Sequence, residues 1–209
     1  MKIPIIDKGT RASVFGRSGV GKTTLNKWLM LHSPMRWIVL DTKYDDAFNN
    51  YKIVNKLPSM GDIANGIKNS KFYVVRPKPN EISNSSILDD WLFDIHDGFN
   101  NIGVNIDEGY QVALGSNAGP GLTGLLTRGR ARGQSVIVGS QRPARLPLFV
   151  FTEANHYFVM QLSSLDDKKK VADYTGKREI LKERIEPRHW MHFNVASGEL
   201  VRYGPVSFT

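Results

Sequence analysis

The sequence predicts an α/β protein with a mostly parallel sheet flanked by helices and a β-hairpin near its C-terminal end. Three observations predict this class. Short apolar runs alternate along the chain with amphipathic or polar stretches, which is the pattern of a parallel sheet with crossover helices. A glycine-rich loop at residues 16–23 lies between an apolar run and a helix-forming stretch. Residues 190–206 form a strand-like segment that turns near Ser197-Gly198, which predicts the hairpin.

The apolar runs are predicted to be the buried strands, because each is short and is bounded by polar or glycine-containing segments. The predicted strands are residues 13–15, 37–40, 72–75, 104–106, 136–138 and 156–160.

The stretches between these runs supply the predicted helices and loops. Helices are predicted at residues 23–31, 87–99, 165–174 and 178–185, with an irregular helical stretch near 122–130. Residues 49–61 and 112–124 are predicted to be loops or small excursions, the second being rich in glycine.

Composition limits the classes to which the chain can belong. Its 209 residues, 41% of them hydrophobic, suffice for one core, so residues 1–209 are predicted to form a single domain. The absence of cysteine excludes disulfides and thiolate metal sites and is consistent with a reducing compartment. No apolar stretch approaches the ~20 residues that span a bilayer, and the apolar patch within residues 1–7 is too short for a signal peptide.

The chain is basic, with a formal net charge of +8 and a pI near 9.7. Such a charge favours polyanionic partners, of which nucleic acid is the first expectation and a membrane surface the second. Many basic proteins bind no nucleic acid, so the charge only supports an argument made from other residues.

Residues 16–23 form a complete phosphate-binding loop, the Walker A motif, in the strand–loop–helix context that it requires. Glycines let successive backbone N–H groups point at one anion, and the following helix adds its positive end. Lys22 is predicted to contact the β- and γ-phosphates of ATP, and Thr23 to offer its hydroxyl to Mg²⁺. An ordinary glycine-rich turn is the alternative. The predicted nucleotide-binding residues are Gly16, Arg17, Ser18, Gly19, Val20, Gly21, Lys22, Thr23 and Thr24.

A second apolar strand ends in two adjacent acids, as a Walker B motif does. Asp107 is predicted to hold Mg²⁺, and Glu108, one residue further on, to orient and deprotonate the attacking water. The alternative is a strand that ends in a solvated acidic turn.

A third apolar strand ends at Ser140-Gln141. The amide of Gln141 can donate to the γ-phosphate while it accepts from the attacking water, so it is a candidate sensor of hydrolysis. Taken alone, a glutamine after a strand is more often a simple strand terminus.

Together these motifs resemble the FtsK/HerA superfamily of DNA-pumping ATPases. The residues that carry the resemblance are GRSGVGKT at 16–23, NIDE at 105–108, and GSQRP at 139–143 preceded by the basic run RGRARGQ. The strand end Asp41-Thr42-Lys43 is also similar to that group. The short length is most similar to the genome-packaging ATPases of tailless icosahedral viruses with an internal membrane.

The resemblance implies a RecA-like core over about residues 12–175, followed by an extension over about 176–209. It also implies a hexameric ring around double-stranded DNA, with each active site completed by an arginine of the neighbouring subunit. Arg128, Arg130 and Arg132 are the candidates for that arginine. They can equally line a DNA channel or solvate a loop, and Arg142, Arg145 and Lys168 are competitors.

The resulting expectation is a Mg²⁺-dependent ATPase that translocates double-stranded DNA, without regard to sequence, into a viral capsid. It would act in the host cytoplasm or at the packaging vertex of the virion, where capsid vertex proteins would be partners. The alternatives are a small-molecule phosphotransferase and an ATP-switched assembly or export factor.

Two further groups remain open in the sequence. Asp41 and Lys43 can contact the nucleotide site or form a structural pair with each other. His189 and His192 flank an apolar pair and are predicted to be packing or surface residues, since no third metal ligand lies nearby.

Overall fold

The computed structural model describes residues 4–115 and 117–208, so residues 1–3 of the predicted N-terminal patch and Ser116 of the predicted 112–124 loop lie outside it. Most of its strands coincide with the apolar runs. The strands are β1 (Arg11–Phe15), β2 (Trp37–Leu40), β3 (Ile53–Val54), β4 (Phe72–Val75), β5 (Gly103–Ile106), β6 (Ala113–Leu114), β7 (Asn117–Ala118), β8 (Ser135–Ser140), β9 (His156–Val159), β10 (Trp190–Asn194) and β11 (Glu199–Tyr203).

Nine of these strands form one sheet in the order β11-β10-β9-β1-β8-β5-β2-β4-β3. All neighbouring pairs from β9 to β3 are parallel, which confirms the predicted mostly parallel sheet. β6 and β7 form a separate antiparallel pair.

Helices cover both faces of the sheet. They are α1 (Lys22–His32), α2 (Met60–Ile67), α3 (Pro79–Ile82), α4 (Ser85–Gly98), α5 (Pro120–Thr123), α6 (Phe149–Thr152), α7 (Leu165–Thr175) and α8 (Glu179–Lys182). The irregular stretch predicted near 122–130 is a π-helical turn at Gly124–Arg128 that follows α5 and leads into a 3₁₀ turn at Gly129–Arg132.

The core consists of two apolar layers, because side chains of a strand alternate between the faces of the sheet. In β2, Ile38 and Leu40 belong to the layer beneath α4, whereas Trp37 and Val39 belong to the layer beneath α1.

The predicted loop at 49–61 is partly structured. It contains β3, whose two residues are too few to show an alternating pattern, and the start of α2. A capping box marks that start: the N–H of Asp62 donates to the Ser59 hydroxyl at 3.2 Å, and the Asp62 carboxylate accepts from the Ser59 N–H at 3.4 Å. The Ser-x-x-Asp pattern at residues 59–62 was therefore the feature of the sequence that could have predicted the start of α2.

One other predicted boundary was wrong, and the small excursion predicted at 112–124 was right. The predicted helix 178–185 shortens to α8, because Glu183 already has an extended backbone. The glycine-rich segment 112–124 holds β6, β7 and α5, whose first turn is fixed by Asp89: its buried carboxylate accepts from the N–H groups of Gly121 at 3.0 Å and Leu122 at 2.8 Å.

The predicted C-terminal hairpin extends the main sheet. β10 pairs with β9 antiparallel, and the turn to β11 has Gly198 at φ +67°. Met191 and Phe193 of β10 lie in the larger apolar layer, so the part of the predicted extension that the structure describes, residues 176–208, shares the core of residues 12–175; Thr209 lies outside the described residues. Within residues 4–115 and 117–208, every helix is too short or too polar to cross a bilayer.

Candidate active site

Three loops meet at one edge of the sheet, at the carboxyl ends of β1, β5 and β8. β8 lies between β1 and β5, and their registers place the ends of the three strands side by side. The segments that follow parallel strands at one edge are neighbours in space. The fold therefore brings the phosphate loop, the acid pair Asp107-Glu108 and Gln141 to one place, as their order after apolar strands predicts.

The phosphate loop between β1 and α1 has the conformation that its glycines permit. Gly19 and Gly21 have φ angles of +78° and +98°, a region that other residues rarely adopt. A Cβ at Gly16 would lie 2.9 Å from the Cβ of Met160, so the loop passes too close to that side chain for any other residue. α1 begins at Lys22, so the free N–H groups of its first turn lie at the loop.

A cavity of about 280 Å³ lies against this loop. Its lining includes all but two of the predicted nucleotide-binding residues; the exceptions are Gly16, which is buried, and Val20, which packs in the apolar layer beneath α1. The lining consists of Arg17, Ser18, Gly19, Gly21, Lys22, Thr23, Thr24, Lys43, Asp45 and Arg188.

Two lysines neutralise the two buried acids at the end of β5. The Nζ of Lys22 lies 3.3 Å from Oε1 of Glu108 and 3.7 Å from Oδ1 of Asp107. The ammonium group of Lys43 contacts the same Glu108 oxygen and lies 3.9 Å from Oδ2 of Asp107. Both acids are at most 1% exposed, so the alternative of a solvated acidic turn is wrong.

Burial raises the pKa of the Asp107 carboxyl above its usual value. The charges of Lys22 and Lys43 oppose this shift, and those of Glu108 and Asp41 add to it. Burial alone would lower the pKa of Lys43, but its hydrogen bond to Glu108 and the two acidic charges outweigh burial and raise that pKa. The charged form of Lys43 is therefore favoured, whereas burial disfavours the ionised form of Asp107.

The site fits a Mg²⁺ ion. Both carboxylate oxygens of Asp107 are buried, and neither accepts a hydrogen bond from any residue within 4–115 or 117–208. The nearest cations, Lys22 and Lys43, are 3.7 and 3.9 Å away, too far for a hydrogen bond. Both oxygens are thus free to accept a metal, and Mg²⁺ prefers one or two carboxylates together with substrate phosphates. Thr23, which lines the phosphate cavity, has the hydroxyl that such a site uses.

Gln141 lies directly after β8, and its backbone contacts the predicted base. Its N–H donates to Oε2 of Glu108 at 3.4 Å. Glu108 is therefore held on one oxygen by lysines and on the other by the end of the neighbouring strand. The sensor role of the Gln141 side chain stays a prediction.

Asp41 and Lys43, which the sequence left open, have separate partners. Asp41 accepts from Nε of Arg76 at 2.8 Å and from the N–H of Asp45 at about 3 Å. It is thus a structural acid that fixes the turn after β2. Lys43 belongs to the active site through its contact with Glu108.

The three candidate arginines precede β8 and lie at the amino-terminal edge of the sheet, opposite the phosphate loop. Arg132 donates to the backbone oxygen of Asp97 at 2.8 Å and to its carboxylate at 3.0 Å. Arg128 and Arg130 are exposed. None of the three lies at the phosphate loop of its own chain, so completion of a neighbouring site stays a prediction.

The competing cations lie nearer to the carboxyl edge. The Nε of Arg142 is 3.2 Å from Oδ2 of buried Asp167, and Arg145 is exposed in the 3₁₀ turn that follows. Lys168 is half-buried beside a cavity that includes Glu183.

The histidines near the hairpin have packing positions. The Nε2 of His192 lies 2.9 Å from Nδ1 of His156, and its ring stacks on Phe158. Burial, and then the neighbouring His156, lower the pKa of His192 to about 4. His189 Nδ1 lies 3.2 Å from the backbone oxygen of Pro187. In the part of the chain that the structure describes, no three His, Cys, Asp or Glu side chains form a metal-binding group.

Sequence reasoning missed Arg188, which follows α8. Its N–H donates to the carbonyl of Val20 at 3.1 Å, and its Cγ lies 3.7 Å from where a Cβ would be at Gly21. Its φ of +66° is unusual for a residue other than glycine and turns the chain toward the phosphate loop. No local motif surrounds Arg188, so the sequence offered no signal for it.

Comparison with known proteins identifies the family of the chain. The chain is 30% identical over 177 residues to the DNA packaging ATPase P9 of Enterobacteria phage PRD1, an alignment that covers 83% of this chain and 74% of P9. The chain belongs to the viral DNA-packaging ATPase family. No family model matches it.

Solved structures share the fold of this packaging ATPase. The genome packaging NTPase B204 of Sulfolobus turreted icosahedral virus 2 in complex with sulfate superimposes with a TM-score of 0.74 at 18% identity, covering 98% of this chain and 99% of B204. The pCW3 conjugation coupling protein TcpA, in its monomer form with ATPγS, superimposes with a TM-score of 0.64 at 13% identity, covering 97% of this chain and 61% of TcpA. The expected RecA-like P-loop core is confirmed, and the phosphotransferase and export-factor alternatives are not favoured.

Proposed function

We propose that this chain is a Mg²⁺-dependent ATPase that drives double-stranded DNA into a viral capsid. One observation carries the chemical part of the proposal. A fully buried glutamate, Glu108, lies in direct contact with the phosphate-loop lysine Lys22. A carboxylate at that position is suited to activate water, because the lysine of a phosphate loop contacts the γ-phosphate and Glu108 would then lie beside the phosphorus that the water attacks.

The proposed reaction is direct attack of water on the γ-phosphate. The water oxygen forms a bond to phosphorus while the bond to the β–γ bridging oxygen breaks, and the products are ADP and phosphate. Glu108 accepts the proton that the attacking water loses. Lys22 and the backbone N–H groups of residues 18–21 neutralise the charge of the phosphates, whereas those of Gly16 and Arg17 donate to Ser140 and Gln161.

Thr23 and Asp107 would hold Mg²⁺, which neutralises phosphate charge and orients the nucleotide. The two buried oxygens of Asp107, which accept no hydrogen bond from the described residues, support this assignment. Lys43 keeps Glu108 in position, and Gln141 is the proposed sensor of the γ-phosphate.

The mechanical part of the proposal rests on family membership and charge. The relative P9 is a DNA packaging ATPase, and the net charge of +8 suits a polyanion. We propose that the subunits form a hexameric ring that binds DNA through contacts with its phosphates. The ring would act inside the infected cell, at the capsid vertex, where vertex proteins would be its partners. Such binding has no sequence preference and weakens steeply as the salt concentration rises.

DNA-stimulated hydrolysis of ATP tests the proposal. The wild type should hydrolyse ATP with Mg²⁺ and accelerate when duplex DNA is added. Glu108→Gln keeps the size of the side chain but cannot take a proton, so turnover should fall about 10²–10⁴-fold while ATP binding persists. Full turnover in this variant would show that Glu108 is not the base, and an activity indifferent to DNA would contradict the motor.

A further inference from the structure

Asn26 of α1 is a fully buried side chain whose amide is not hydrogen-bonded. It is 0% exposed, and among the residues that the structure describes neither its Nδ2 nor its Oδ1 has a hydrogen-bond partner. Buried amides are nearly always hydrogen-bonded, because an amide that loses its bonds to water and gains none in the protein is unfavourable. The exception at Asn26 therefore calls for a functional explanation.

Asn26 lies on the face of α1 that also carries the phosphate-loop lysine. Lys22 precedes it by four residues, so the two side chains are one helical turn apart on the same face. In β5, Ile106 belongs to the apolar layer beneath α4, so the next side chain, Asp107, faces α1. The distance of 3.7 Å between Nζ of Lys22 and Oδ1 of Asp107 agrees with this orientation.

Gly139 leaves the space in which Asn26 approaches the end of β5. β5 and β8 are in register up to Ile106 and Val138, so the next residues, Asp107 and Gly139, lie side by side. A Cβ at Gly139 would lie 2.5 Å from the backbone oxygen of Asp107 and 3.4 Å from Nδ2 of Asn26. The amide nitrogen of Asn26 therefore lies over the strand ends at the position of Asp107, with only a glycine beneath it.

The free polar atoms at this place complement one another. Both carboxylate oxygens of Asp107 are buried acceptors that receive no hydrogen bond from the described residues, and Nδ2 of Asn26 is a buried donor that gives none. Oδ1 of Asn105, two residues before Asp107 and on the same face of β5, is a further free acceptor. The amide of Asn26 thus supplies a donor where acceptors are in excess.

We propose that Asn26 positions the carboxylate of Asp107 for Mg²⁺. When the phosphates draw Lys22 away from Asp107, Nδ2 of Asn26 donates to one carboxylate oxygen and leaves the other for the metal. The inference rests on the proposed function, in which Asp107 holds Mg²⁺ and Lys22 contacts the phosphates. A carboxylate that binds a metal is usually hydrogen-bonded itself, and loss of that hydrogen bond lowers the affinity for the metal. Asn26 is a positioning residue, because it acts on Asp107 and not on the nucleotide.

Calorimetric titration with AMPPCP, an ATP analogue that cannot be hydrolysed at the β–γ bridge, tests this role with Mg²⁺ and with EDTA. Asn26→Ala should weaken binding of the Mg²⁺ complex about 10- to 100-fold and leave binding of metal-free AMPPCP unchanged. Asn26→Ser keeps a hydroxyl donor at nearly the same volume as alanine. It should therefore bind the Mg²⁺ complex about 2- to 10-fold more tightly than Asn26→Ala does.

The melting temperature separates this role from a structural one. Asn26→Ala removes no hydrogen bond and introduces a better helix former, so its melting temperature should not fall. Gln134→Ala is the matched control, since Gln134 is another fully buried amide, but its Nε2 donates to the backbone oxygens of His96 at 2.9 Å and Phe99 at 2.6 Å. That variant should melt at a lower temperature and keep the wild-type ratio of affinities with and without Mg²⁺.

Two results would overturn the role of Asn26. One is an unchanged affinity of Asn26→Ala for the Mg²⁺ complex, and the other is an equal loss with and without the metal, which would show a general change in the phosphate loop. A wild type that gains no affinity for AMPPCP from Mg²⁺ would instead contradict the proposed function, so the two failures are distinguishable.

Discussion

The ammonium nitrogen of Lys22 lies 3.3 Å from Oε1 of Glu108, so the phosphate-loop lysine and the proposed base form a direct ion pair. Phosphates bound to the loop would compete with Glu108 for this lysine. Lys43 contacts the same oxygen, so Lys43 would remain paired with Glu108 after the phosphates bind Lys22. We therefore expect nucleotide binding to change the environment of Glu108, the proposed catalytic base, through these two lysines.

Replacement of Lys43 by methionine should slow catalysis more than it weakens binding. The change keeps most of the length of the side chain but removes a charged hydrogen bond to Glu108, which is worth about 1.5–3 kcal/mol. We expect kcat to fall about 10- to 100-fold, with KM for ATP nearly unchanged. Steady-state kinetics with duplex DNA present measure both.

Lys43→Arg is the matched control for this prediction. It keeps the positive charge and should recover a large part of kcat if Lys43 positions Glu108. A rise of KM with kcat intact would mean that Lys43 binds phosphate instead.

Asp107→Asn should stabilise the nucleotide-free protein at neutral pH while it abolishes Mg²⁺-dependent hydrolysis. Burial raises the pKa of Asp107 in the folded state, so between its usual value and the raised one the folded chain binds more protons than the unfolded chain. The free energy of unfolding therefore decreases as pH rises through that window, and the loss persists at pH 7. Asparagine removes this cost, and the melting temperature should rise by a few degrees.

Thermal unfolding at a series of pH values measures this effect. The difference between Asp107→Asn and the wild type should shrink as the pH falls into the usual range of an aspartate. Asp173→Asn, at an exposed position of α7, should show no such difference. A lower melting temperature for Asp107→Asn at pH 7 would mean that Lys22 and Lys43 stabilise the charged form more than burial disfavours it.

Arg128 or Arg130 should act on the site of a neighbouring subunit. Both side chains are exposed at the edge opposite their own phosphate loop, whereas Arg132 is bound to Asp97. Replacement by alanine of whichever of these two arginines completes the neighbouring site should lower DNA-stimulated turnover about 10³-fold or more. Arg132→Ala should have a much smaller effect.

Mixed rings distinguish action on a neighbour from action within one chain. Subunits that lack the arginine retain Glu108, and Glu108→Gln subunits retain the arginine. A mixture of the two inactive variants should therefore regain turnover at those interfaces where both intact groups meet. Mixtures as inactive as their components would exclude this arrangement and favour a DNA-channel role.

The positions of most strands were predictable because burial leaves a local trace. β2 and β4 match the predicted ranges, since each is a continuous apolar run buried on both faces. β3 was not predictable, because its two half-buried residues have no period to detect. The hairpin of β10 and β11 was predicted from its turn, but its pairing with β9 depends on contacts distant along the chain.

The sequence by itself determined the phosphate loop, because the glycines that permit its positive φ angles and the helix that follows are adjacent along the chain. It also determined that Asp107 and Glu108 end a buried strand. The tertiary structure alone decided that Lys43, and not Asp41, belongs to the site, and that Arg188 adjoins the loop. The reason is physical: the order of strands in a sheet, set by packing of the whole chain, decides which strand ends become neighbours.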